Sequence, residues 1–329
     1  MKSLWKKLEE KKALLDRYRP LPKVLKANLD EWFKVELTYT SNAIEGSTLS
    51  RKETAMVVEK GLTVAGKTLK EHLEAVNHAE ALEWAPKWIG KKRKDILERD
   101  LLNLHQLILK KIDDDNAGKY RDVRVRVAGS TVIFPNPAKV PELMKDFFVW
   151  MQAKTERHCL QTAADAHFKL VTIHPFVDGN GRTARLLMNI LLMQEGYPPA
   201  LIRKEDRMRY IDAVEKGQLR GELEDYYQII YEAVDRSFDI YFESLGKKDK
   251  PTEKKSGSLL KIGALAKLSG ESLPTIRFWA KEGLLLITEH TPKGYQLFSP
   301  DCLEEIKKIR LLQKEKRLTL EEIRKTLRS

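Results

Sequence analysis

The segment formed by residues 174–185, HPFVDGNGRTAR, constrains the fold of this chain more tightly than any other. Gly179 and Gly181 flank Asn180, so the backbone can adopt positive φ angles here and approach a ligand closely. Leucine and isoleucine side chains then recur at helical spacing as far as a stop at Gly196. The pattern predicts a loop that leads into a helix N-terminus, where unpaired amides and the helix dipole favour phosphate.

Four side chains of this segment add chemistry suited to a nucleoside triphosphate. Arg182 and Arg185 are three residues apart and share one helix face, where their forked donors can clamp phosphate oxygens. Asp178 directly precedes the loop and is placed to hold Mg²⁺ against the same phosphates. His174 is suited to general-base catalysis near neutral pH.

Each of these features has an ordinary structural explanation when it stands alone. A histidine before a proline is usually a turn or core residue, and a Gly-x-Gly sequence is usually a turn. Arginines at this spacing usually form a solvated face. Their occurrence together and in register is hard to explain by structure alone, and it indicates an active site.

Segment 174–185 closely resembles the signature of the Fic (Fido) family, whose members mostly transfer AMP from ATP to a hydroxyl group of another protein. The resemblance implies that His174 deprotonates the target hydroxyl, that Phe176 anchors the loop and that Asp178 binds Mg²⁺. It also implies that the nucleotide phosphates are bound by Gly179, Asn180, Gly181, Arg182 and Arg185. Every position fits the family pattern, which favours AMP transfer over the variant activities.

A second short pattern lies upstream. Ser41 and Glu45 are four residues apart, so on a helix they share one face, and Gly46 suits the helix end. Ordinary helix ends often look the same. Beside the signature, the pattern resembles the inhibitory motif of the family, on a helix at about 38–50. In that motif the glutamate pairs with the second arginine, here Arg185, and blocks seating of the γ-phosphate. In relatives that also remove AMP, the glutamate positions the attacking water.

Residues 118–134 have the pattern of a β-hairpin in an otherwise helical chain. Valines alternate with Arg124 and Arg126, a turn follows, and a second apolar strand ends at Pro135. The simplest interpretation is a small structural hairpin. The segment also resembles the Fic flap, which implies that a target protein docks as an added strand at about 123–134.

Most of the remaining chain has helical periodicity, so the predicted fold class is mainly α, with a Fic-type helical core and one β-hairpin flap. A capped helix start is predicted at 49–54. Further helices are predicted at 68–84, 95–112, 138–153, 157–173, 182–195 and 222–244. His105 and His167 lack metal-ligand spacing and are interpreted as structural. In the family a tyrosine near Tyr210 often lines the adenine pocket, although core or surface packing explains this residue almost as well.

The composition changes at residues 246–258, which contain no large apolar side chain and are predicted to form a flexible linker. Beyond the linker, a helix is predicted over 260–270, and Ser272 can cap a second helix that continues through 275–281. The remaining predicted elements are a turn at 291–295, a short strand at 296–298 and two helices near 300–316 and 319–328.

This order resembles the MerR-type winged helix-turn-helix. The resemblance implies DNA contacts by Ser272, Thr275, Arg277, Lys293 and Tyr295. Gln296 stands where the wing usually carries an arginine, and no long dimerisation helix is predicted beyond the helix near 319–328. A single module binds one half-site weakly, so dimerisation would have to come from the Fic portion. A protein-docking module with a basic face is the alternative interpretation.

Length and composition allow two domains and exclude several protein classes. The 329 residues are 33% charged and 42% hydrophobic, no apolar run is long enough to span a membrane, and the first residues lack the apolar core of a signal peptide. Cys159 and Cys302 form no disulfide framework or metal spacing. These features predict a cytoplasmic location. The net charge of +12 is compatible with approach to nucleic acid.

Together, the patterns predict four regions, at 1–95 (N-terminal helices), 96–245 (catalytic domain), 246–258 (linker) and 259–329 (winged helix-turn-helix). The predicted function is a protein adenylyltransferase that uses ATP and Mg²⁺ and is inhibited by Glu45. One alternative is a DNA-binding transcriptional regulator in which the Fic domain senses a nucleotide; another is an enzyme that removes AMP. The intact His174 and Asp178 favour an enzyme. The family resemblance is also compatible with a homodimer.

Overall fold

The computed structural model describes residues 2–246, 260–282, 284–285, 287–290, 296–299, 302–315 and 322. The chain forms two compact units, Met1–Asp249 and Lys250–Ser329. The predicted linker lies almost entirely outside the described residues, as does nearly all of the helix predicted near 319–328. Among the described residues, no helix has the length and apolar character needed to cross a membrane.

The first unit consists of α-helices joined by loops and short 3-10 turns, and its described part contains no β-strand. Its helices are α1 (Lys2–Asp16), α2 (Lys23–Ile44), α3 (Arg51–Lys60), α4 (Leu69–Trp84), α5 (Pro86–Ile89), α6 (Glu98–Leu109), α7 (Val140–Gln152), α8 (Cys159–Ile173), α9 (Asn180–Gln194), α10 (Arg207–Arg220) and α11 (Glu224–Ser244). The six long helices predicted from periodicity are confirmed as α4, α6, α7, α8, α9 and α11 within a few residues. Helix α10 was not predicted. It is strongly polar overall, and the buried face consists of Tyr210, Ala213 and Gly217, of which two are small.

Local capping explains where two of these helices begin. Ser50 accepts a hydrogen bond from the Glu53 amide while the Glu53 carboxylate accepts one from the Ser50 amide, so α3 starts with a capping box. The capped start predicted there is confirmed. Thr68 and Glu71 form the same arrangement at the start of α4. These caps hold α3 and α4 in place beside the end of α2.

Helix α9 is the centre of the first unit. Its apolar side chains, such as Leu187, Met188 and Ile190, are almost fully buried against α8, α6 and α2. Each such side chain contributes about 1.5–3 kcal/mol through burial. The N-terminus of α9, where residues 174–185 lie, is therefore set in a rigid core.

The helix predicted at about 38–50 has other bounds in the structure. It begins at Lys23 and ends at Ile44, with Glu45 as its C-cap and Gly46 at a φ of 103° beyond it. A new helix, α3, starts at Arg51. The sequence pattern correctly predicted a helix at Ser41 and Glu45, but it continued this helix through residues 46–50. In the structure α2 ends at Ile44, because Gly46 adopts a positive φ that breaks the helix.

The predicted flap hairpin is not a pair of strands. Residues 118–135 are described in full, and no main-chain hydrogen bond joins the two arms at 123–126 and 131–134. The Ser130 amide does donate to the Val127 carbonyl, so the turn exists. The arms are held by side chains instead, because the Arg121 guanidinium donates to the carbonyls of Val123 and Pro135 across them. The alternating sequence pattern therefore predicted the turn correctly, but its prediction of paired strands was wrong.

The second unit contains a small antiparallel sheet and three helices in its described part. The helices are α12 (Ile262–Ser269), α13 (Leu273–Lys281) and α14 (Cys302–Glu315), and the strands are β1 (Leu260–Lys261), β2 (Ile287–His290) and β3 (Gln296–Phe298). The strand order is β1-β3-β2, with Phe298 opposite both Leu260 and Ile287. The strand predicted at 296–298 is confirmed. Residues 260–261, predicted as helix, pair with β3 instead, and the turn predicted at 291–295 lies outside the described residues.

Candidate active site

The loop between α8 and α9 is held by its own residues. His174 ends α8 in the left-handed conformation, with a φ of 51°, and Gly179 precedes α9 with a φ of 75°. The Asn180 side chain accepts a hydrogen bond from the Phe176 amide and donates one to the Phe176 carbonyl, each 2.9 Å long. Since Phe176 is fully buried, this clamp fixes the loop to the core.

His105 on α6 contacts the loop through ring stacking and a hydrogen bond. Its ring stacks on Phe176 with centroids 3.6 Å apart. Its Nδ1 accepts a hydrogen bond from the Gly118 amide, so the proton lies on Nε2, which donates to the Asp178 carbonyl over 2.9 Å. Burial lowers the pKa of His105 to about 4, which keeps the ring neutral at pH 7. The structural role expected for His105 is consistent with this geometry.

Arg121 is a loop-holding residue that the sequence did not single out. Its amide donates to the Pro175 carbonyl over 2.9 Å, and its Nε donates to the His174 carbonyl over 2.7 Å. The side chain is almost fully buried. Arg121 therefore ties the flap segment, defined here as residues 121–135, to the residue predicted to be the catalytic base.

His174 has the protonation state that a general base requires. Its Nδ1 lies 3.2 Å from the Val171 carbonyl, an acceptor, so Nδ1 carries the proton and Nε2 has a free lone pair. Burial lowers the pKa of His174 to about 4. The Phe134 ring stacks on the imidazole with centroids 4.0 Å apart. The neutral ring is thus held in one orientation at physiological pH.

The end of α2 reaches Arg185 through two residues of the predicted inhibitory motif. Glu45 Oε1 accepts a hydrogen bond of 2.6 Å from Arg185 Nη2. The Ser41 hydroxyl and carbonyl each accept a further hydrogen bond of 3.0 Å from the same guanidinium. A Cβ atom at Gly181 would overlap Glu45 Oε1, so glycine leaves the room that the carboxylate occupies. The structure therefore brings the two predicted segments together on one arginine.

Arg207 contacts the same helix end from α10. Its Nε donates a hydrogen bond of 2.6 Å to the Ile44 carbonyl. This carbonyl belongs to the last turn of α2, where a positive charge also suits the helix dipole. Arg207 and Arg185 together hold the position from which Glu45 projects.

Arg182 has a carboxylate partner that was missed in the sequence. The guanidinium is only 2% exposed, and its Nη1 lies 2.9 Å from Glu74 Oε1 on α4. Its Nη2 lies 3.4 Å from Asp178 Oδ1. Glu74 shares the buried face of α4 with Asn77 and His78, and these three polar residues at helical spacing were the available signal. A buried arginine needs such a counter-charge.

Replacing Glu74 with glutamine should lower the free energy of unfolding by about 1–3 kcal/mol, because the buried Arg182 guanidinium then keeps only the half-exposed Asp178 carboxylate as its counter-charge. Urea unfolding measures this. Glu80→Gln is the matched control, since Glu80 lies on the same helix in an exposed pair with Lys110, where such pairs contribute about 0–1 kcal/mol. Equal effects of the two substitutions would contradict the interpretation of the Glu74–Arg182 pair.

Asp178 is the candidate metal ligand. Its Oδ1 accepts a hydrogen bond of 2.6 Å from the Gly179 amide, and its Oδ2 lies 3.8 Å from Lys70 Nζ. Burial raises the pKa of this carboxyl, but the charge of Arg182 and the Gly179 amide outweigh burial and hold the pKa below its usual range. The carboxylate is half-exposed, so one oxygen can reach a cation. A single carboxylate fits Mg²⁺ that is bound mainly through nucleotide phosphates and water.

Tyr210 lies behind Arg185. Its side chain is only 4% exposed, and its hydroxyl lies 2.7 Å from His167 Nε2. The other ring nitrogen of His167 lies 2.8 Å from the Tyr226 hydroxyl, which donates to the Ala164 carbonyl. Burial lowers the pKa of His167 to about 3, so the imidazole between the two tyrosine hydroxyls is neutral at pH 7. An adenine-lining role for Tyr210 stays a prediction; here the residue belongs to a buried network of hydrogen bonds.

The predicted DNA-contacting residues are only partly described. Ser272 caps α13, where its hydroxyl accepts from the Thr275 amide, and the side chains of Ser272 and Arg277 are exposed. Lys293 and Tyr295 lie outside the described residues. The buried face of α13 carries Ile276 and Trp279 into the core of the second unit. Arg277 therefore lies on the accessible side of the predicted recognition helix.

Comparison with known proteins identifies relatives of both units. Residues 95–192 match the Fic/DOC family, and residues 260–329 match the MerR HTH family regulatory protein model. A protein adenylyltransferase Fic from Culex quinquefasciatus is 35% identical over 239 residues, which cover 72% of this chain and 47% of that protein. One from Nematostella vectensis is 36% identical over 208 residues, or 63% of this chain and 48% of that protein. The chain thus spans about half the length of these curated relatives.

Solved structures agree with this assignment. Fic-1 from C. elegans (residues 134–508) is 28% identical, with a TM-score of 0.68 over 74% of this chain and 72% of that chain. A Fic domain containing signaling protein from Bacteroides thetaiotaomicron is 26% identical, with a TM-score of 0.66 over 74% of this chain and 98% of that chain. Residues 95–192 therefore form a Fic/DOC family domain, and residues 260–329 match the MerR HTH family.

Proposed function

We propose that this protein is an adenylyltransferase that transfers AMP from ATP to a hydroxyl side chain of a protein. The observation that carries the proposal is the convergence on one loop of a neutral His174, the Asp178 carboxylate, the N-terminus of α9 and two buried arginines. The names of the curated relatives, each a protein adenylyltransferase Fic, support the same activity.

The geometry supports a direct displacement at the α-phosphate. Nε2 of His174 removes the proton of the target hydroxyl as its oxygen attacks the α-phosphorus, and the bond to the pyrophosphate oxygen breaks. The amides at the start of α9 stabilise the charge on the phosphates. Arg182 and Arg185 stabilise the leaving pyrophosphate. Asp178 would hold Mg²⁺, which neutralises phosphate charge when it is bound.

The proposed resting state is inhibited. Arg185 already makes three hydrogen bonds, to Ser41 and to Glu45, and the Glu45 carboxylate lies where a γ-phosphate would have to approach this arginine. The negative charge of Glu45 would also repel the phosphate. Glu45 is 38% exposed and stands at a helix end, so it can withdraw without disrupting the core. We assign Ser41, Glu45 and Gly46 to this inhibitory element.

The activity can be tested with ATP labelled at either end of its phosphate chain. The Glu45→Gly protein is incubated with Mg²⁺ and ATP labelled at the α- or the γ-phosphate, and protein-bound label is counted. We expect label from the α-phosphate alone. Label from the γ-phosphate would indicate phosphoryl transfer, and ATP binding without either label would favour a nucleotide sensor.

We propose DNA binding as the function of the second unit. The match to the MerR family and the exposed Arg277 on the capped helix α13 support this role. Helices of this type present their exposed face to the major groove. Because a single module contacts one half-site, tight binding would need two copies of the chain.

Replacing Arg277 with alanine should weaken binding to duplex DNA and reduce the magnitude of the salt slope by about one, because one phosphate-neutralising charge is lost. Fluorescence anisotropy with a mixed-sequence duplex of about 30 base pairs, long enough for two half-sites, measures both quantities. Lys6→Ala, a loss of the same charge at an exposed site of the first unit, is the control. The same affinity and slope for both variants would exclude α13 as the contact element.

A further inference from the structure

The flap segment is anchored at both ends beside the candidate active site. Arg121 joins its base to the His174 and Pro175 carbonyls, and Phe134 stacks on the His174 ring. At the tip, the Glu215 carboxylate of α10 accepts hydrogen bonds from the Thr131 amide and hydroxyl and from the Ser130 hydroxyl. The part between these anchors is therefore held in place next to the catalytic loop.

The first arm of the flap segment presents open main-chain groups. In the described part of the chain, the amides of residues 124–126 and their carbonyls have no hydrogen-bond partner. Exposed main-chain donors and acceptors of this kind can accept an added strand. The two valines at the ends of the arm, Val123 and Val127, are 51% and 43% exposed, so apolar surface is also open here.

Arginines and valines alternate in sequence along this arm. In a strand pairing, where successive side chains face opposite sides, Arg124 and Arg126 would share the face opposite the valines. Both arginines are exposed, and the described part of the chain provides neither with an ion-pair partner. The acidic groups nearby do not neutralise them. Glu215 is engaged at the tip, and Asp122, two residues before Arg124 and four before Arg126, supplies one negative charge against two positive charges.

We infer that the arm selects target segments that carry two acidic side chains on alternate residues beside the acceptor hydroxyl. In an added strand, residues two positions apart face the same side, so two carboxylates can meet the two guanidinium groups directly. Basic target segments would place like charges opposite each other, which destabilises the pairing. This inference rests on the proposed adenylyltransferase function and names the substrate class that its site takes.

Two peptides test this inference, each with a threonine, a serine and a tyrosine acceptor version. The acidic peptide carries two glutamates on alternate residues before the acceptor, and the basic peptide carries lysines at the same places. Binding to the Glu45→Gly protein is measured by fluorescence anisotropy, and AMP transfer by mass spectrometry. We expect about tenfold tighter binding of the acidic peptide, since two cross-strand pairs change from attraction to repulsion.

A charge reversal provides the sharper comparison. The Arg124→Glu/Arg126→Glu variant should bind the basic peptide more tightly than the acidic one. The Lys94→Glu/Arg99→Glu variant changes the net charge equally at exposed sites elsewhere and should keep the preference for the acidic peptide. An unchanged preference after reversal at 124 and 126, equal binding of both peptides, or no peptide binding at all would overturn the inference.

The two readouts separate failure of the inference from failure of the proposed function. If the Glu45→Gly protein labels itself with AMP but does not discriminate between the peptides, the adenylyltransferase stands and the flap inference is wrong. If no protein or peptide is labelled while the acidic peptide binds and the reversal inverts the preference, the flap inference stands and the proposed reaction is wrong.

Discussion

Replacing His174 with alanine is expected to lower the rate of AMP transfer by about 10²–10⁴-fold. The neutral imidazole is oriented by the Val171 carbonyl and the Phe134 ring, and no other group of the described loop offers a free basic nitrogen at that place. The loss should appear in the rate of a single turnover, measured with saturating ATP in the Glu45→Gly background.

The control for this substitution is nucleotide binding. The phosphates are assigned to the start of α9 and to Arg182 and Arg185, so the affinity for ATP should change little when His174 is removed. Unchanged ATP affinity with a lost chemical step is the pattern of a general base. A single-turnover rate that stays within a factor of about three of the parent would rule out this role for His174.

Replacing Glu45 with glycine is expected to raise the rate of AMP transfer by about 10- to 100-fold. The substitution removes one charge-assisted hydrogen bond to Arg185, and such bonds contribute about 1.5–3 kcal/mol. Glycine at this C-cap position costs little stability, because Glu45 lies just beyond the last helical residue of α2. The initial rate of AMP incorporation at fixed ATP concentration measures the effect.

A graded series strengthens this test. Glutamine at position 45 keeps a hydrogen-bond acceptor but removes the charge, so Glu45→Gln should give a rate between those of the parent and Glu45→Gly. If the parent, Glu45→Gln and Glu45→Gly proteins transferred AMP at the same rate, Glu45 would not inhibit the enzyme.

The sequence could predict those parts of the site whose residues are neighbours in the chain. The signature loop and α9 follow from consecutive residues, since glycines, a helix pattern and charged side chains occur together within 174–185. The pairing of Glu45 with Arg185 could be predicted by resemblance to a family motif, and the contact is present in the structure.

The supporting residues were harder to predict, because their partners are distant in sequence. Glu74 reaches Arg182 from α4, and Arg121 reaches the His174 carbonyl from the flap segment. Each has an ordinary local pattern, so only the tertiary fold reveals its function. The flap was predicted wrongly as paired strands for a related reason: valines alternate with arginines there, but side chains rather than a ladder hold the arms.

The central claim, a transferase restrained by Glu45, is tested most directly by mass spectrometry of protein-bound AMP. The parent, Glu45→Gly and Glu45→Gly/His174→Ala proteins are incubated in parallel with ATP and Mg²⁺. Strong AMP labelling of the single variant, weak labelling of the parent and none of the double variant is the predicted result. Equal labelling of the single and double variants, or its absence from all three despite measurable ATP binding, would contradict the claim.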